Sequence, residues 1–243
     1  MLFLPVNENQ KSLGGYTGSL LFVNEICQKM SLLLRNLSKM IKYVTYSTEK
    51  DLRMNTALLL LEIQNDYFQN GRTPLEKSSE VSTKAQKILA AYREKKLPIV
   101  HIQHISTQPD AAYLLPCTKG AEFYPSVLPI KGETIIKKHY PNSFKDTALL
   151  SHLTKNQITH LVICGMMTHL AIDATVRAAY DLGFTCTVLH DACTTRQLEF
   201  NHMPIRVEDV HHAFLAALQS TYANTVSAEE YLKKSGVSVE VFS

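Results

Sequence analysis

Four polar segments of the sequence hold the side chains that could perform chemistry. Each follows an apolar run, and together they cover residues 62–68, 137–144, 165–173 and 190–193. The first segment begins with Glu62, a carboxylic acid that can serve as a general acid or base, and the second contains two adjacent lysines. Glu62 could equally form a salt bridge to a lysine that only holds a pocket together, and both interpretations remain open at this point.

The apolar runs before these segments are predicted to be strands of a parallel sheet. Residues 57–61 form a continuous apolar run, as expected for a strand buried on both faces. Stretches with helical spacing separate the runs, and this alternation indicates βαβ units. The predicted strands cover residues 57–61, 98–102, 133–137, 160–164 and 185–189, and the predicted helices centre on residues 81–92, 149–153, 172–179, 207–218 and 227–230. The fold class is therefore a three-layer α/β/α sandwich, with ligands expected beyond the carboxyl ends of the strands.

The bulk composition excludes several classes of protein. The chain has 243 residues, a net charge of +3 and 45% hydrophobic residues, which is ordinary for a globular protein. The excess positive charge lies in residues 1–53, so the remainder is neutral and no nucleic-acid partner is expected. No apolar run is long enough to span a bilayer. The five cysteines include no CxxC pair, which favours a reducing compartment, and we expect a cytoplasmic protein.

Residues 1–53 differ from the rest and are predicted to be an N-terminal extension to a domain formed by residues 54–243. The extension contains one weakly amphipathic stretch, at residues 20–41. This stretch could be a helix that docks on the domain or on a membrane surface. It could equally be disordered or a translated leader, because Met54 lies directly before the first predicted strand and could serve as a start.

The four polar segments, in this order over residues 57–231, resemble the isochorismatase-like hydrolase superfamily, which includes nicotinamidases and other amidases. The resemblance implies a parallel sheet of about six strands, a small-molecule substrate or ligand, and a homo-oligomer. Family members use an aspartate, a lysine and a cysteine, and the matching positions here are Glu62, Lys138 and Ala171. The resemblance also implies a cis peptide and an oxyanion site in the turn before position 171. The substrate-binding residues that it implies are Gln64, Phe68, Phe144, Met167, Thr168 and His169.

The alanine at position 171 removes the family's nucleophile. The family cysteine lies at the start of a helix, where the helix dipole and a lysine stabilise its thiolate. Loss of the nucleophile from a hydrolytic triad costs about 10⁶-fold in turnover, so Ala171 excludes amide cleavage through this position. Cys193, at a neighbouring strand end, is the one plausible replacement, whereas Cys164 is predicted to be a buried apolar residue.

The other two family positions keep groups that can move protons. Glu62 has one methylene more than aspartate, and a misplacement of about one ångström can lower a rate about 10²-fold. Lys137 and Lys138 face opposite sides of a predicted strand, and the family spacing to Phe144 selects Lys138 as the residue that enters the cleft.

Neither a metal site nor a cofactor is expected. The family's nicotinamidases have an Asp-x-His metal motif after the second strand, where this chain has His101 and His104. These two positions face opposite ways on a strand, so they cannot bind one metal ion unless the strand has ended. His211 and His212 are adjacent on a predicted helix and also diverge.

Three functions are compatible with these residues. The first is a hydrolase without a thiol that protonates an enol ether or a small carbonyl compound through Glu62, and it predicts a carboxyl that faces an apolar pocket. The second is a pseudoenzyme that binds a ligand or acts as a scaffold, because two family positions are changed. The third assigns the function to residues 1–53. Since the residues around the predicted site are otherwise intact, we rank the hydrolase first.

Overall fold

A computed structural model describes Met30, Leu34, Arg35 and residues 55–235 of the chain. The chain divides into two units, Met1–Asp51 and Leu52–Ser243, and the sheet lies in the second. Met30, Leu34 and Arg35 are helical and exposed, while the rest of the predicted extension, with most of the stretch at 20–41, lies outside the described residues. Among the residues that are described, no helix is long and apolar enough to cross a membrane.

Within residues 55–235, six parallel strands form the central sheet and two more form a separate antiparallel hairpin. The strands are β1 (Thr56–Leu61), β2 (Ile99–His104), β3 (Thr134–Lys138), β4 (His160–Met166), β5 (Thr185–Thr194), β6 (Leu198–Phe200), β7 (Met203–Ile205) and β8 (Asn224–Val226). The order in the sheet is β3-β2-β1-β4-β5-β8, and β6 pairs with β7. Every residue of β1 is buried, as expected for a central strand that is covered on both faces.

The helices that flank the sheet in the described part of the chain have the apolar spacing that the sequence predicts. They are α1 (Ser78–Glu94), α2 (Leu149–Lys155), α3 (Asp173–Asp181), α4 (Val207–Thr221) and α5 (Ala228–Lys234). α1 packs on the sheet and on α5, whereas α3 contacts α4. Ser227 caps α5, because its hydroxyl accepts a hydrogen bond from the Glu230 N–H at 3.1 Å. The predicted α/β class and each predicted strand and helix are confirmed.

The apolar periodicity of the sequence did not predict three short strands, β6, β7 and β8. β8 is the sixth strand of the sheet, which the family resemblance implies but the apolar pattern does not mark. The hairpin of β6 and β7 turns through Asn201 and His202, both with positive φ. Such a turn is usually signalled by Asn-Gly or Asp-Gly, and this sequence has no glycine there.

The chain order across the sheet places a crevice between the carboxyl ends of β1 and β4. The chain runs outwards from β1 to β2 and β3 and then returns to β4 on the other side of β1. In open parallel sheets, ligands bind at such a reversal. Gly165 allows the two strands to approach here, because a Cβ atom at this position would lie 2.0 Å from the Leu61 carbonyl oxygen. Its φ of +131° also favours glycine.

Candidate active site

The Glu62 carboxyl lies at the end of β1 and contacts basic and phenolic groups. Its Oε1 is 2.6 Å from the Lys138 Nζ, and its Oε2 accepts a hydrogen bond of 3.1 Å from the Tyr67 hydroxyl. The carboxyl is buried, with 3% of the residue exposed. Its surroundings are therefore polar, which differs from the apolar pocket that the hydrolase hypothesis predicts. The φ of Glu62 is +51°, a left-handed conformation that costs energy in a residue with a side chain and often occurs at functional sites.

Lys138 is the last residue of β3 and is fully buried. Besides the Glu62 carboxyl, its ammonium group contacts the Pro141 carbonyl oxygen at 2.5 Å. The neighbouring Lys137 is exposed, because successive strand residues face opposite sides of the sheet. β3 thus delivers one lysine to the site and leaves the other in solvent.

Tyr67 completes the enclosure of the Glu62 carboxyl, and the sequence analysis did not single it out. It belongs to a 3-10 turn, Asn65–Tyr67, that directly follows the β1 end, and it is buried. Burial raises the pKa of its phenol well above the ordinary value, and the nearby Glu62 charge raises it further. The phenol therefore stays protonated and donates to the carboxyl. The only hint in the sequence is its position within the first polar segment.

His104 is a second residue near the carboxyl that was considered only as a metal ligand. Its Nδ1 lies 3.7 Å from Glu62 Oε1, is buried, and has no hydrogen-bond partner among the residues that the structure describes. Gln64 holds the main chain of His104 from both sides: its Oε1 accepts from the His104 N–H at 2.8 Å and its Nε2 donates to the His104 carbonyl at 2.9 Å. Because Nε2 also donates to the Ala121 carbonyl, both amide protons of Gln64 are used by the main chain.

Position 171 lies in a π-helical turn, Thr168–Ile172, between β4 and α3. Ala171 is 1% exposed and offers only a methyl group, so the turn has no nucleophile at this position. The Met166–Met167 peptide before the turn is cis, as the resemblance implies. Met167 and Thr168 are fully buried.

The side chains of this turn are held by the end of β5 and by α4. The Thr168 hydroxyl donates to the Thr194 carbonyl at 3.2 Å and lies 2.9 Å from His211 Nδ1. His169 Nδ1 forms a hydrogen bond with the Thr195 hydroxyl, and the His169 ring contacts Phe214 edge to face. His211 also lines a cavity of about 220 Å³ formed by the start of α1, the end of β5 and the start of α4, and neither Glu62 nor Lys138 lines it.

Cys193 does not offer a replacement thiolate. It is a buried residue of β5, and burial raises its thiol pKa to about 12. Burial also raises the thiol pKa of Cys164, in β4, well above its ordinary value. Both thiols are therefore protonated at neutral pH and lack the positive, partly exposed surroundings of reactive cysteines.

The two phenylalanines predicted to bind substrate lie in different places. Phe68 is buried and stacks on Tyr124, with ring centroids 3.4 Å apart. Phe144 stacks on Phe184 at 5.9 Å, and Phe184 lies just before β5, at the end of the sheet opposite to the crevice. Phe68 therefore lies in the segment after β1, and the Phe144 ring contacts Phe184.

Among the described residues, no group of three or more histidine, cysteine or carboxylate side chains is arranged to hold a metal ion. His101 and His104 face different partners, because His101 Nε2 contacts Glu133 Oε2 at 2.8 Å while His104 faces Glu62. A shared metal ion between them would need both rings on one side of β2.

Three polar residues near the strand ends hold loops in place. Asp66 accepts hydrogen bonds from the main-chain N–H groups of Leu114 and Arg72, at 2.6 and 3.1 Å. Asn65 donates to the Lys119 carbonyl at 2.8 Å. Asp191 accepts from the Ala228 N–H at 2.7 Å and so connects the end of β5 to α5.

Comparisons with known proteins agree with the fold and with the order of the segments. The sequence model of the isochorismatase domain matches residues 56–230. An uncharacterised isochorismatase family protein of Bacillus subtilis, YddQ, is 43% identical over 180 residues, which cover 74% of this chain and 100% of the relative. A crystal structure of an isochorismatase-type hydrolase from Oleispira antarctica is 44% identical, has a TM-score of 0.71, and matches 74% of this chain and 97% of that one. A streptothricin hydrolase of Streptomyces noursei is 27% identical over 174 residues, 72% of this chain and 60% of the relative.

Proposed function

Because this chain belongs to the isochorismatase family, we propose that it is a hydrolase that works through a carboxyl group instead of a thiol. Glu62 is the proton donor and acceptor, and Lys138 sets the charge of the site. The observation that carries the proposal is the contact of 2.6 Å between Lys138 Nζ and Glu62 Oε1 in a buried site.

The buried pair has a physical reason to share a proton. Burial of two charges costs several kcal/mol for each ion, and this cost is only partly offset by their attraction. Transfer of one proton from Lys138 Nζ to Glu62 Oε1 turns the ion pair into two neutral groups without a change in the net charge of the site. The Tyr67 hydroxyl holds the other carboxyl oxygen at 3.1 Å and fixes the orientation of the acid. In that form Glu62 carries the proton that the proposed reaction requires.

The chemistry that fits this acid is the hydrolysis of an enol ether, as the family resemblance implies. Glu62 gives its proton to the vinyl carbon, and the carbon bonded to the ether oxygen becomes an oxocarbenium ion. Water adds to that carbon and loses a proton to bulk water, so the Glu62 carboxylate must be reprotonated before the next turnover. The resulting hemiketal separates into a carbonyl compound and an alcohol. A small carbonyl substrate that needs only protonation and water addition fits the same site.

Substrate contact in this proposal comes from the turn that follows β4. Met167, Thr168 and His169 lie between the crevice and the end of β5, and we propose that they bind the substrate. Gln64 acts indirectly, because the hydrogen bonds of its amide go to main-chain groups of the protein and not to a substrate. Phe68 stacks on Tyr124 and Phe144 stacks on Phe184, and a direct role of either ring in substrate binding stays a prediction.

A specific observation favours a second candidate, a pseudoenzyme that binds a ligand without turnover. Ala171 has no nucleophilic atom, and the Cys193 thiol is buried with a pKa of about 12. Glu62, Lys138 and Ala171 are all at least 97% buried, so the pair also fits a purely structural ion pair.

A substrate screen separates the two candidates. Purified wild type, Glu62→Gln and the double variant Glu62→Asp/Ala171→Cys are tested against small enol ethers and small amides. We expect wild type to hydrolyse an enol ether and no amide, and Glu62→Gln to lose about 10²–10⁴-fold of that rate, as is typical for a general acid. Glu94→Gln, which changes an exposed carboxyl at the end of α1, is the matched control.

Two outcomes contradict the hydrolase. One is a wild-type rate that Glu62→Gln leaves unchanged. The other is a wild type without turnover of any substrate, together with amide cleavage by the double variant. The second outcome supports the pseudoenzyme.

We also propose self-association, which the family resemblance implies, through the hairpin of β6 and β7. Opposite residues of an antiparallel pair lie on the same face, so Leu198, Phe200, Met203 and Ile205 form one apolar face. Phe200 and Met203 are 70% and 68% exposed, and an isolated two-stranded hairpin is only marginally stable in water. Light scattering on wild type and on Phe200→Ser tests this: a monomeric wild type contradicts the proposal.

A further inference from the structure

We propose that His104 is the group through which the buried Glu62–Lys138 pair exchanges protons with solvent, and that Gln64 positions it. The effect of His104 on turnover rests on the proposed hydrolase. Its effect on proton exchange does not, because the pair and the ring are present whether or not a substrate reacts.

Exposure to solvent distinguishes His104 from the other members of the cluster. Glu62, Lys138 and Tyr67 are 3%, 0% and 1% exposed, whereas 16% of the His104 side chain is exposed. A proton that leaves the pair must be replaced from water, and fully buried groups cannot contact bulk water. His104 connects the interior of the cluster with its exterior.

The geometry leaves one nitrogen of His104 available for this task. Nδ1 is buried, has no hydrogen-bond partner, and lies 3.7 Å from Glu62 Oε1. This distance is longer than a hydrogen bond, so the transfer needs a small rotation of the ring or one intervening water. In the step, the neutral ring first takes a proton from hydronium at its exposed edge. The Nδ1–H bond of the resulting imidazolium then breaks and an O–H bond forms on the Glu62 carboxylate, which returns the ring to its neutral form. No electrons are gained or lost.

Burial, together with two nearby basic side chains, favours the neutral form of the His104 ring. Burial lowers the pKa of His104, the Glu62 charge opposes that effect, and Lys138 and His139 lower the pKa further. A neutral ring with a free nitrogen accepts a proton and passes it on, whereas a permanently charged ring only donates.

Gln64 determines where the ring can lie. It bonds both main-chain groups of His104 across 40 residues of sequence, at the last position of β2. Without the Gln64 side chain, the end of β2 at His104 loses these two hydrogen bonds to the segment that follows β1. We therefore expect Gln64→Ala to reproduce part of the effect of losing the ring, although Gln64 does not touch the carboxyl.

The test measures proton exchange directly, without a substrate. In the full-length protein with ¹⁵N-labelled lysine, NMR follows the exchange of the Lys138 ammonium protons with water, and the signal is assigned from its absence in Lys138→Met. We expect exchange to slow by roughly tenfold or more in His104→Gln. This is less than the full effect that a positioned proton-transfer group usually has on a rate. Gln64→Ala slows it in the same direction.

His160→Gln is the matched control. His160 is also partly buried and has a lowered pKa because of burial, but it lies at the start of β4, where it contacts Thr185 and Thr187. Equal exchange rates in wild type and His104→Gln overturn the proposal, and so does a slowing that His160→Gln reproduces. His104→Asn replaces the first variant if that variant does not fold.

With a substrate, turnover provides a second measurement, and its outcome is independent of the exchange rate measured by NMR. Proton replacement follows product formation, so His104→Gln should lower kcat more than kcat/KM, and added imidazole should restore kcat. A wild type without any turnover rejects the proposed hydrolysis and leaves the exchange result standing. Slow exchange restricted to the His104 variants, together with turnover that they do not alter, rejects the role in catalysis alone.

Discussion

Two carboxylates in this protein, the buried Glu62 and the partly buried Glu133, have similar partners but differ in how fully they are bonded. Glu133 and Glu62 each lie beside one basic side chain and one histidine of β2. Arg93 donates to both oxygens of Glu133, at 2.7 and 2.9 Å, and the same carboxyl contacts His101 Nε2 at 2.8 Å and the Ile130 N–H at 3.0 Å. Within the described part of the chain, Glu62 contacts Lys138 and Tyr67, and its histidine stays 3.7 Å away.

The difference separates a structural carboxylate from one that can exchange a proton. Burial raises the pKa of Glu133, but Arg93, the Ile130 N–H and His101 outweigh it and lower the pKa to about 2. Glu133 is therefore ionised throughout the physiological range and ties α1 and β2 to the segment before β3. Glu62 has a single ammonium partner and an unbonded imidazole nitrogen nearby, so its site keeps room for a proton to move.

The largest expected effect comes from Lys138→Met, which leaves the Glu62 carboxylate buried without its cation. Breaking a buried pair in this way costs about 3–5 kcal/mol of the free energy of unfolding. Lys137→Met changes the adjacent, exposed lysine and should stay within about 0.5 kcal/mol of wild type. Urea denaturation measures both. Similar losses in the two variants would contradict the role of the pair, and Glu62→Gln/Lys138→Met should regain part of the loss.

A smaller effect distinguishes the two histidines of β2. His101→Gln removes a buried hydrogen bond to a charged group and should lower the free energy of unfolding by about 1.5–3 kcal/mol. His104→Gln removes no side-chain hydrogen bond at Nδ1 and should cost less than about 1 kcal/mol. The measurement is again urea denaturation at neutral pH. If His104→Gln lowers the free energy of unfolding more than His101→Gln does, the proposed contrast between the fully bonded Glu133 and the less fully bonded Glu62 is wrong.

The dependence of stability on pH tests the Glu133 side of the comparison. The pKa of this carboxyl is lowered from 4.5 to about 2 in the folded protein, so its contribution is present above about pH 5 and is lost as the pH falls towards 2. The difference in stability between wild type and Glu133→Gln should therefore shrink over this window. Denaturation curves at several pH values test it, and a difference that stays constant from pH 6 to about pH 2 would contradict the assignment.

Much of the fold could be predicted from local patterns. The buried run of β1 and the helical spacing of Val81, Ala85 and Ile88 are properties of neighbouring residues, so they are readable without the tertiary structure. The hairpin could not be predicted in the same way, because its strands are three residues long and one of them contains Pro204.

The sequence by itself determined the order of five strands of the sheet and of the helices, together with the four polar segments at the strand ends. That Ala171 stands where the family has its nucleophile stays a prediction from the resemblance. The tertiary structure decided which side chains meet: Tyr67 and Lys138 on opposite oxygens of Glu62, His104 beside them, and Phe144 against Phe184. The physical reason is that alternation along a strand is local, whereas contacts between strands depend on register. Only the pairing of His104 with Lys138 across β2 and β3 brings an imidazole to the buried carboxyl.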